Sequence, residues 1–259
     1  MRKEDAFSLR KHMNLSYDHY ENHFVLCTGH CDFFGKWKPY SILENMQIVA
    51  SEHCMALGIG QKNLAERGLS WVLFKLNVQI SAYPTIGEEV SILTYTKSSR
   101  FNFFPRYYIA KKMDGEILCK AGSLWMMIDQ KTRQSISPKK SGIELPACIA
   151  FEAATNVFSS CKMVSGETFI SEYNPQYSDL DINGHVNNTK CIEWLCNRLG
   201  IDFMKEKELS CFDIEYIHEI QPQMHVEQTL NINNSAFFFS GASQGNCLFR
   251  ISGEMRERK

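Results

Sequence analysis

The sequence predicts an α+β fold made of two copies of one unit, each an antiparallel sheet wrapped around a long helix, with the two sheets pairing into one continuous sheet. Three observations lead there. "DFFGKWKPYSILE" (32–44) lies over "DINGHVNNTKCIE" (181–193) without a gap, and "LSWVLFKLNVQI" (69–80) lies over "LSCFDIEYIHEI" (209–220). The matches keep their order at offsets of 149 and 140, as a duplicated unit requires. In each copy a short strand and an Asp-containing turn lead into helical spacing, after which the hydrophobic period switches to two. With 44% hydrophobic and 22% charged residues, the 259-residue chain has ample material for a buried core.

In the first unit Ser41-x-x-Glu44 is a capping-box pattern. Ile42, Met46, Val49, Ala50 and Leu57 follow at helical spacing until Gly58. Val72, Phe74, Leu76, Val78 and Ile80 then alternate with Leu73, Lys75, Asn77 and Gln79, the pattern of a half-buried strand. Asp114-Gly115 supplies a hairpin turn before a long strand ending in "SLWMMID". The stretch from about Ser135 to Ser165, with Pro138, Gly142 and Pro146, reads as a connection. The expected organisation is a first unit over 1–140, a linker over 141–165 and a second unit over 166–259. In that second unit Asn188 is the expected helix cap, and Ile192, Leu195 and Leu199 line one face. Gly200 stops the helix, and a hairpin turns at Gln244-Gly245.

Several function classes are disfavoured. No apolar run reaches the roughly 18 residues of a membrane span, and the first sixteen residues lack the apolar core of an export signal. Ten scattered cysteines fit reduced, buried thiols and a cytoplasmic setting. "CTGHC" (27–31) is too sparse for a zinc site, so no metal is expected. There is no G-x-S-x-G elbow, P-loop or dinucleotide fingerprint, and no cofactor is expected. "RFNFFPRYY" (100–108) interleaves bases and aromatics, but its period-two context reads as an ordinary strand rather than a nucleic-acid surface. Net charge is −1 yet uneven: residues 1–150 hold 19 Lys and Arg against 14 Asp and Glu, and residues 151–259 hold 9 against 15. A basic first half suits an acidic partner; a solvated surface explains the charge equally well.

The two copies differ where chemistry would sit. Asn183 and His185 face Phe34 and Lys36 in the comparison, and Glu219 faces Gln79. A polar set confined to one copy points to one reaction centre per chain. Asp181, Asn183 and His185 occupy alternate places in a turn entering a helix, whose N-terminal N–H groups and partial positive charge suit a developing oxyanion. Asp and Asn before a helix are also ordinary turn and cap formers. His185 tips the balance, because histidine has no special capping value and titrates near neutrality.

"YSDLDINGHVNNTKCIEWL" (177–195) resembles the D-x-N-x-H-V-N-N-x-x-Y-x-x-W signature of acyl-acyl-carrier-protein thioesterases, enzymes of plant plastids and bacteria. "WVLFKLNVQISAYPTIGEEVSILTYTKSSR" and "AGSLWMMIDQKTRQ" are similar to the family as well, and the likeness runs from about Glu21 to Glu254. The resemblance implies a double hotdog fold and hydrolysis of a fatty acyl thioester on the phosphopantetheine arm of acyl carrier protein. It implies Asp181, Asn183, His185 and Glu219 as the catalytic set. Val186 and Asn187 would lie beside the acyl carbonyl; Met46, Val49 and Ala50 are candidates for facing the acyl chain, with a plain core position the competing reading of each. Arg100, Arg106, Lys111 and Lys131 are candidates for docking the acidic carrier. The family's motif cysteine is Ile220 here, its two arginines are Ile217 and His218, and its helix tyrosine is Cys191, so a cysteine nucleophile at that position is excluded. The lack of a transit peptide points to a bacterial member, and a homodimer is compatible. A coenzyme A-specific thioesterase and a non-catalytic acyl-binding protein are the competing readings.

Overall fold

The computed structural model describes residues 18–258. Eleven strands, all paired antiparallel, form one sheet. Strands β1 (His19–Val25), β2 (Leu69–Ile80), β3 (Glu89–Thr96), β4 (Phe104–Lys112), β5 (Ile117–Asp129) and β6 (Ser135–Ile136) belong to the first half. Strands β7 (Glu167–Tyr173), β8 (Lys207–Tyr216), β9 (Val226–Asn233), β10 (Ala236–Ser243) and β11 (Asn246–Glu257) belong to the second. The order β1-β3-β4-β5-β2-β8-β11-β10-β9-β7 is one strand sequence followed by its own mirror, with β6 added beside β5. The halves meet where β2 pairs β8 from Lys75↔Glu215 to Gln79↔Cys211. This is the continuous double sheet that the duplication implies.

Helix α1 (Pro39–Ala56) and helix α4 (Lys190–Leu199) hold equivalent places in the two halves. Short helices α2 (Gln61–Glu66), α3 (Pro138–Ser141) and α5 (Ile201–Glu206) complete the set. Ile42, Met46 and Val49 of α1 share one buried cluster with Ile192 and Leu195 of α4 and with inward residues of both half-sheets. One core therefore serves both copies. Helix α1 does not start at the Ser41 box: Pro39 takes the first turn, where its missing N–H is harmless, and Ser41 is buried. Gly58 and Gly200 both adopt positive φ just past their helices, as expected of stop signals.

Two expectations about strands need correction. Strand β2 carries a bulge between Leu73 and Lys75. The extra residue inverts the alternation, so Leu69 and Leu73 share the buried side with Leu76, Val78 and Ile80. Phe74 instead packs on the opposite face, stacked on Phe103. That outer face is covered by the segment expected as a plain connection. Cys148 and Val157 are buried against Leu93, Tyr95 and Leu124, and the Tyr95 hydroxyl donates to the Glu152 carbonyl at 2.5 Å. Second, β8 ends at Tyr216, so Glu219 stands on the loop beyond it rather than on a strand face. Ile217 and His218 both donate their N–H to the Leu248 carbonyl, which bends the chain away at that point.

Candidate active site

The turn before each helix is built the same way in both halves. Asp181 N donates to the His185 carbonyl at 2.8 Å and Gly184 N to the Asp181 carbonyl at 3.0 Å. Asp32, Lys36 and Gly35 repeat this pair of bonds, at 2.8 and 2.9 Å. Asn187 N donates to the Asp179 carbonyl as Lys38 N does to the His30 carbonyl. Gly35 and Gly184 sit at φ 73° and 76°, a left-handed position that the turn requires and a side chain resists. The carboxylates repeat as well: Asp32 Oδ1 accepts from Phe34 N and Lys36 N, and Asp181 Oδ1 accepts from Asn183 N at 2.8 Å and His185 N at 3.4 Å. Asp181 accepts from the His185 backbone, the same task Asp32 performs where no histidine exists. His30 accepts from Cys27 N at 3.1 Å, as Asp179 accepts from Gln176 N at 2.7 Å, so "CTGHC" is a closed turn.

On this scaffold the second half carries its polar groups. Asn183 Nδ2 donates to Asp181 Oδ2 at 3.1 Å, and Asn183 Oδ1 accepts from Gln61 Nε2 at 2.8 Å. The amide is thus clamped from both ends, with its second N–H outside this pair. His185 Nδ1 lies 3.6 Å from Glu219 Oε2, and the same oxygen is held by the Arg133 guanidinium. Arg133 comes from the tight turn after β5, where Asp129 Oδ1 accepts from Lys131 N and Thr132 N. Gln61 and Arg133 both belong to the first half, so the cluster is assembled across the duplication. Sequence reasoning missed both, and no local signal marks them: their roles follow from the pairing of β2 with β8.

A cavity of about 810 Å³ opens beside the turn. Asp181, Asn183, Gly184, Asn187 and Asn188 form one wall, and Ala50, Leu64, Trp71 and Phe104 are among the residues of the others. His185 and Glu219 are not among the residues that line the cavity. Ala50 lies on the cavity wall. Met46 and Val49 do not; at 2% and 1% exposure they belong to the shared core.

The backbone N–H groups also correct the expectation. Val186 N donates to the Ile220 carbonyl at 2.9 Å and Asn187 N is taken by Asp179, so neither is open to a ligand. Asn188 N, the next along the turn, meets no acceptor among the described residues. The helix is anchored by Asn187 instead of Asn188: Asn187 Oδ1 accepts from Thr189 N at 2.9 Å and Thr189 Oγ1 at 3.0 Å. Burial pushes the Tyr173 phenol up to about 12, with the neighbouring Asp179 carboxylate adding to the rise. Tyr173 therefore stays a proton donor, at 2.8 Å, and fixes Asp179 beneath the turn.

Of the four docking candidates, Arg106 is buried at 3% exposure and lines the cavity, so it is no surface residue. Lys111 pairs with Glu21 at 3.7 Å. Arg100 and Lys131 are exposed, and Arg100 lies over the Phe101 and Phe158 rings. The first-half counterpart of the site is closed: Arg258 donates to Asp32 Oδ2 at 3.0 Å and its guanidinium covers the Phe34 ring at 4.5 Å.

Comparison with known proteins agrees with this architecture. Residues 17–140 match the model of the acyl-ACP thioesterase N-terminal domain, and residues 163–252 match that of the acyl-ACP thioesterase C-terminal domain. An acyl-acyl-carrier-protein hydrolase of Cuphea viscosissima is 27% identical over 228 residues, covering 82% of this chain and 53% of that protein. A palmitoyl-acyl carrier protein thioesterase of Gossypium hirsutum is 26% identical over 208 residues, covering 75% and 50%. The chain thus spans about half the length of these relatives. An acyl-ACP thioesterase structure from Bacteroides thetaiotaomicron superposes with a TM-score of 0.80 at 22% identity over 93% of this chain and 100% of that one. A 12:0-ACP thioesterase from Umbellularia californica gives 0.81 at 20% identity over 94% and 99%. At these identities the structures speak to the double hotdog fold.

Proposed function

The chain belongs to the acyl-ACP thioesterase family, and from that premise we propose that it hydrolyses fatty acyl thioesters of acyl carrier protein to free fatty acid and the carrier's phosphopantetheine thiol. The observation that carries this reading is the clamped Asn183 on the wall of an 810 Å³ cavity, with His185 two residues along the same turn and paired with Glu219. The acyl chain fills the cavity and the thioester carbonyl sits at the turn. The second N–H of Asn183 and the N–H of Asn188 donate to the carbonyl oxygen. The start of α4 adds its partial positive charge as that oxygen becomes anionic.

Water is activated by Glu219 together with His185. As its oxygen bonds to the carbonyl carbon, its proton passes to this pair and the π electrons move onto the carbonyl oxygen. Collapse of the tetrahedral intermediate breaks the carbon–sulfur bond. The thiolate leaves with the bonding electrons and takes up the proton from the histidine–glutamate pair. A thiol of pKa about 8.5 is a good leaving group, so the demand falls on water activation and oxyanion binding. Asp181 holds the turn, Gln61 fixes the amide, and Arg133 positions the Glu219 carboxylate. The same carboxylate attacking directly to give an acyl anhydride is chemically open, since Glu219 is partly exposed.

Release of thiol from acyl carrier protein loaded with C8 to C18 chains tests the reading. Asn183→Ala, His185→Ala and Glu219→Ala should each lower kcat/KM by at least about 100-fold with unchanged circular dichroism. Full activity in His185→Ala would falsify the site. Faster turnover of the same chain on coenzyme A than on carrier protein would reassign the substrate.

A further inference from the structure

We propose that the acyl cavity is built for a chain bearing an oxygen function, a carboxylate best of all, with Arg106 as the residue that selects it. This rests on the thioesterase reading and deepens it. Arg106 lies on β4, 3% exposed, yet its side chain lines the same cavity as Asn183. Its bonds go to groups other than carboxylates: Nη1 meets His53 Nδ1 at 3.0 Å and Thr94 Oγ1 at 3.1 Å, and Nη2 meets Cys54 Sγ at 3.3 Å. Among the described residues no carboxylate pairs with it.

A guanidinium has five N–H donors in a fixed fork. Three are taken up by these partners. Nε–H and one Nη2–H find no acceptor among the described residues. A guanidinium edge with open donors matches both oxygens of a carboxylate, or the single oxygen of a ketone or hydroxyl. A cavity meant for a plain alkyl chain gains nothing from a buried cation, because desolvating a charge without an anion is unfavourable. Gln47, Ser51 and Ser70 on the same walls add polarity that an alkyl tail does not use. An oxygenated acyl chain satisfies both the open edge and the charge. The oxygen function is bound and not transformed; hydrolysis proceeds at the thioester.

The test compares carrier protein loaded with dodecanoyl, hydroxydodecanoyl, ketododecanoyl and dodecanedioyl chains. The wild-type protein should turn over at least one oxygenated chain about tenfold faster in kcat/KM than dodecanoyl, because buried donors left unpaired penalise the plain analogue. In Arg106→Met that preference should collapse to under about threefold. The hydroxy and keto arms against the dicarboxylic arm identify which oxygen is read. A wild-type preference for the plain chain over every oxygenated one overturns the proposal, as does an undiminished preference in Arg106→Met. If Arg106→Met fails to fold, Arg106→Lys, which keeps the charge and loses the fork, must weaken the dicarboxylic preference, and retention overturns the proposal. If no acyl thioester is turned over, the hydrolase reading fails; tighter calorimetric binding of dodecanedioate than of dodecanoate then supports the cavity assignment alone, and equal binding overturns it.

Discussion

Asp181 uses both carboxylate oxygens inside its own turn, and Asp32 holds the equivalent turn with no chemistry nearby. Asp32→Ala and Asp181→Ala are each expected to lower stability by about 1–2 kcal/mol in urea titration, the usual effect of losing a turn or cap acceptor. Only Asp181→Ala should also cut activity, because Asn183 loses one of its two clamps. An Asp32→Ala variant as stable as wild type would remove the turn role argued for both. Arg133 reaches Glu219 from the other half. Arg133→Ala should reduce kcat about tenfold or more with little change in KM, and Arg133→Lys should restore part of it, as expected of a group that orients a catalytic carboxylate. An effect on KM alone would make Arg133 a carrier contact instead.

Helices α1 and α4 meet through residues that the duplication places at equivalent positions, Glu44 and Glu193. Burial raises the Glu44 carboxyl above its ordinary value; Lys190 opposes the rise and Glu193 adds to it. A carboxyl raised in the folded state binds protons more readily there than when unfolded. Its contribution therefore favours folding at low pH and is lost as pH rises through the folded value. Glu44→Gln should accordingly raise Tm at pH 7, by less than about 1 kcal/mol in stability after solvent screening, and the gain should vanish near pH 4. Absence of any gain at neutral pH would show the seam tolerates the charge. Burial likewise pushes the Cys196 thiol to about 12 and raises Cys191 further. A thiol reagent at pH 8 should label exposed Cys27 first and leave these two unmodified until the protein unfolds.

The sheet junction decides whether a site exists at all. Lys75 pairs with Glu215 at 2.9 Å and Asn77 donates to Asp213 at 2.8 Å across β2 and β8. Ser159 of the crossing segment donates to the same Asp213 oxygen at 2.5 Å. Residues 166–259 expressed alone would expose the β8 edge and lack Gln61 and Arg133. That fragment should show no detectable hydrolysis, while the two halves expressed together should copurify and recover activity. An active isolated second half would refute a site assembled across the duplication. An acidic carrier approaching exposed Lys131 and Arg100 should bind more weakly as salt rises, read as a rising KM.

The repeat, the helices with their glycine stops, the hairpins at Asp114-Gly115 and Gln244-Gly245, and the turn carrying Asn183 and His185 were legible in the sequence. Each is determined by residues within a few positions of one another: glycine at positive φ, aspartate closing its own turn, hydrophobic period. The side-by-side pairing of two like half-sheets was legible because one unit was written twice; the order of the strands within each half was not. What stayed hidden depends on residues far apart in the chain. A single bulge turned Phe74 outward, and the chain bend after Tyr216 carried Glu219 off its strand. The β2–β8 pairing delivered Gln61 and Arg133 to the site. Arg106 read as a surface charge because a basic residue in a strand ordinarily faces water. Only the tertiary structure, by folding α1 over β4, decided that this cation would be buried in the cavity wall.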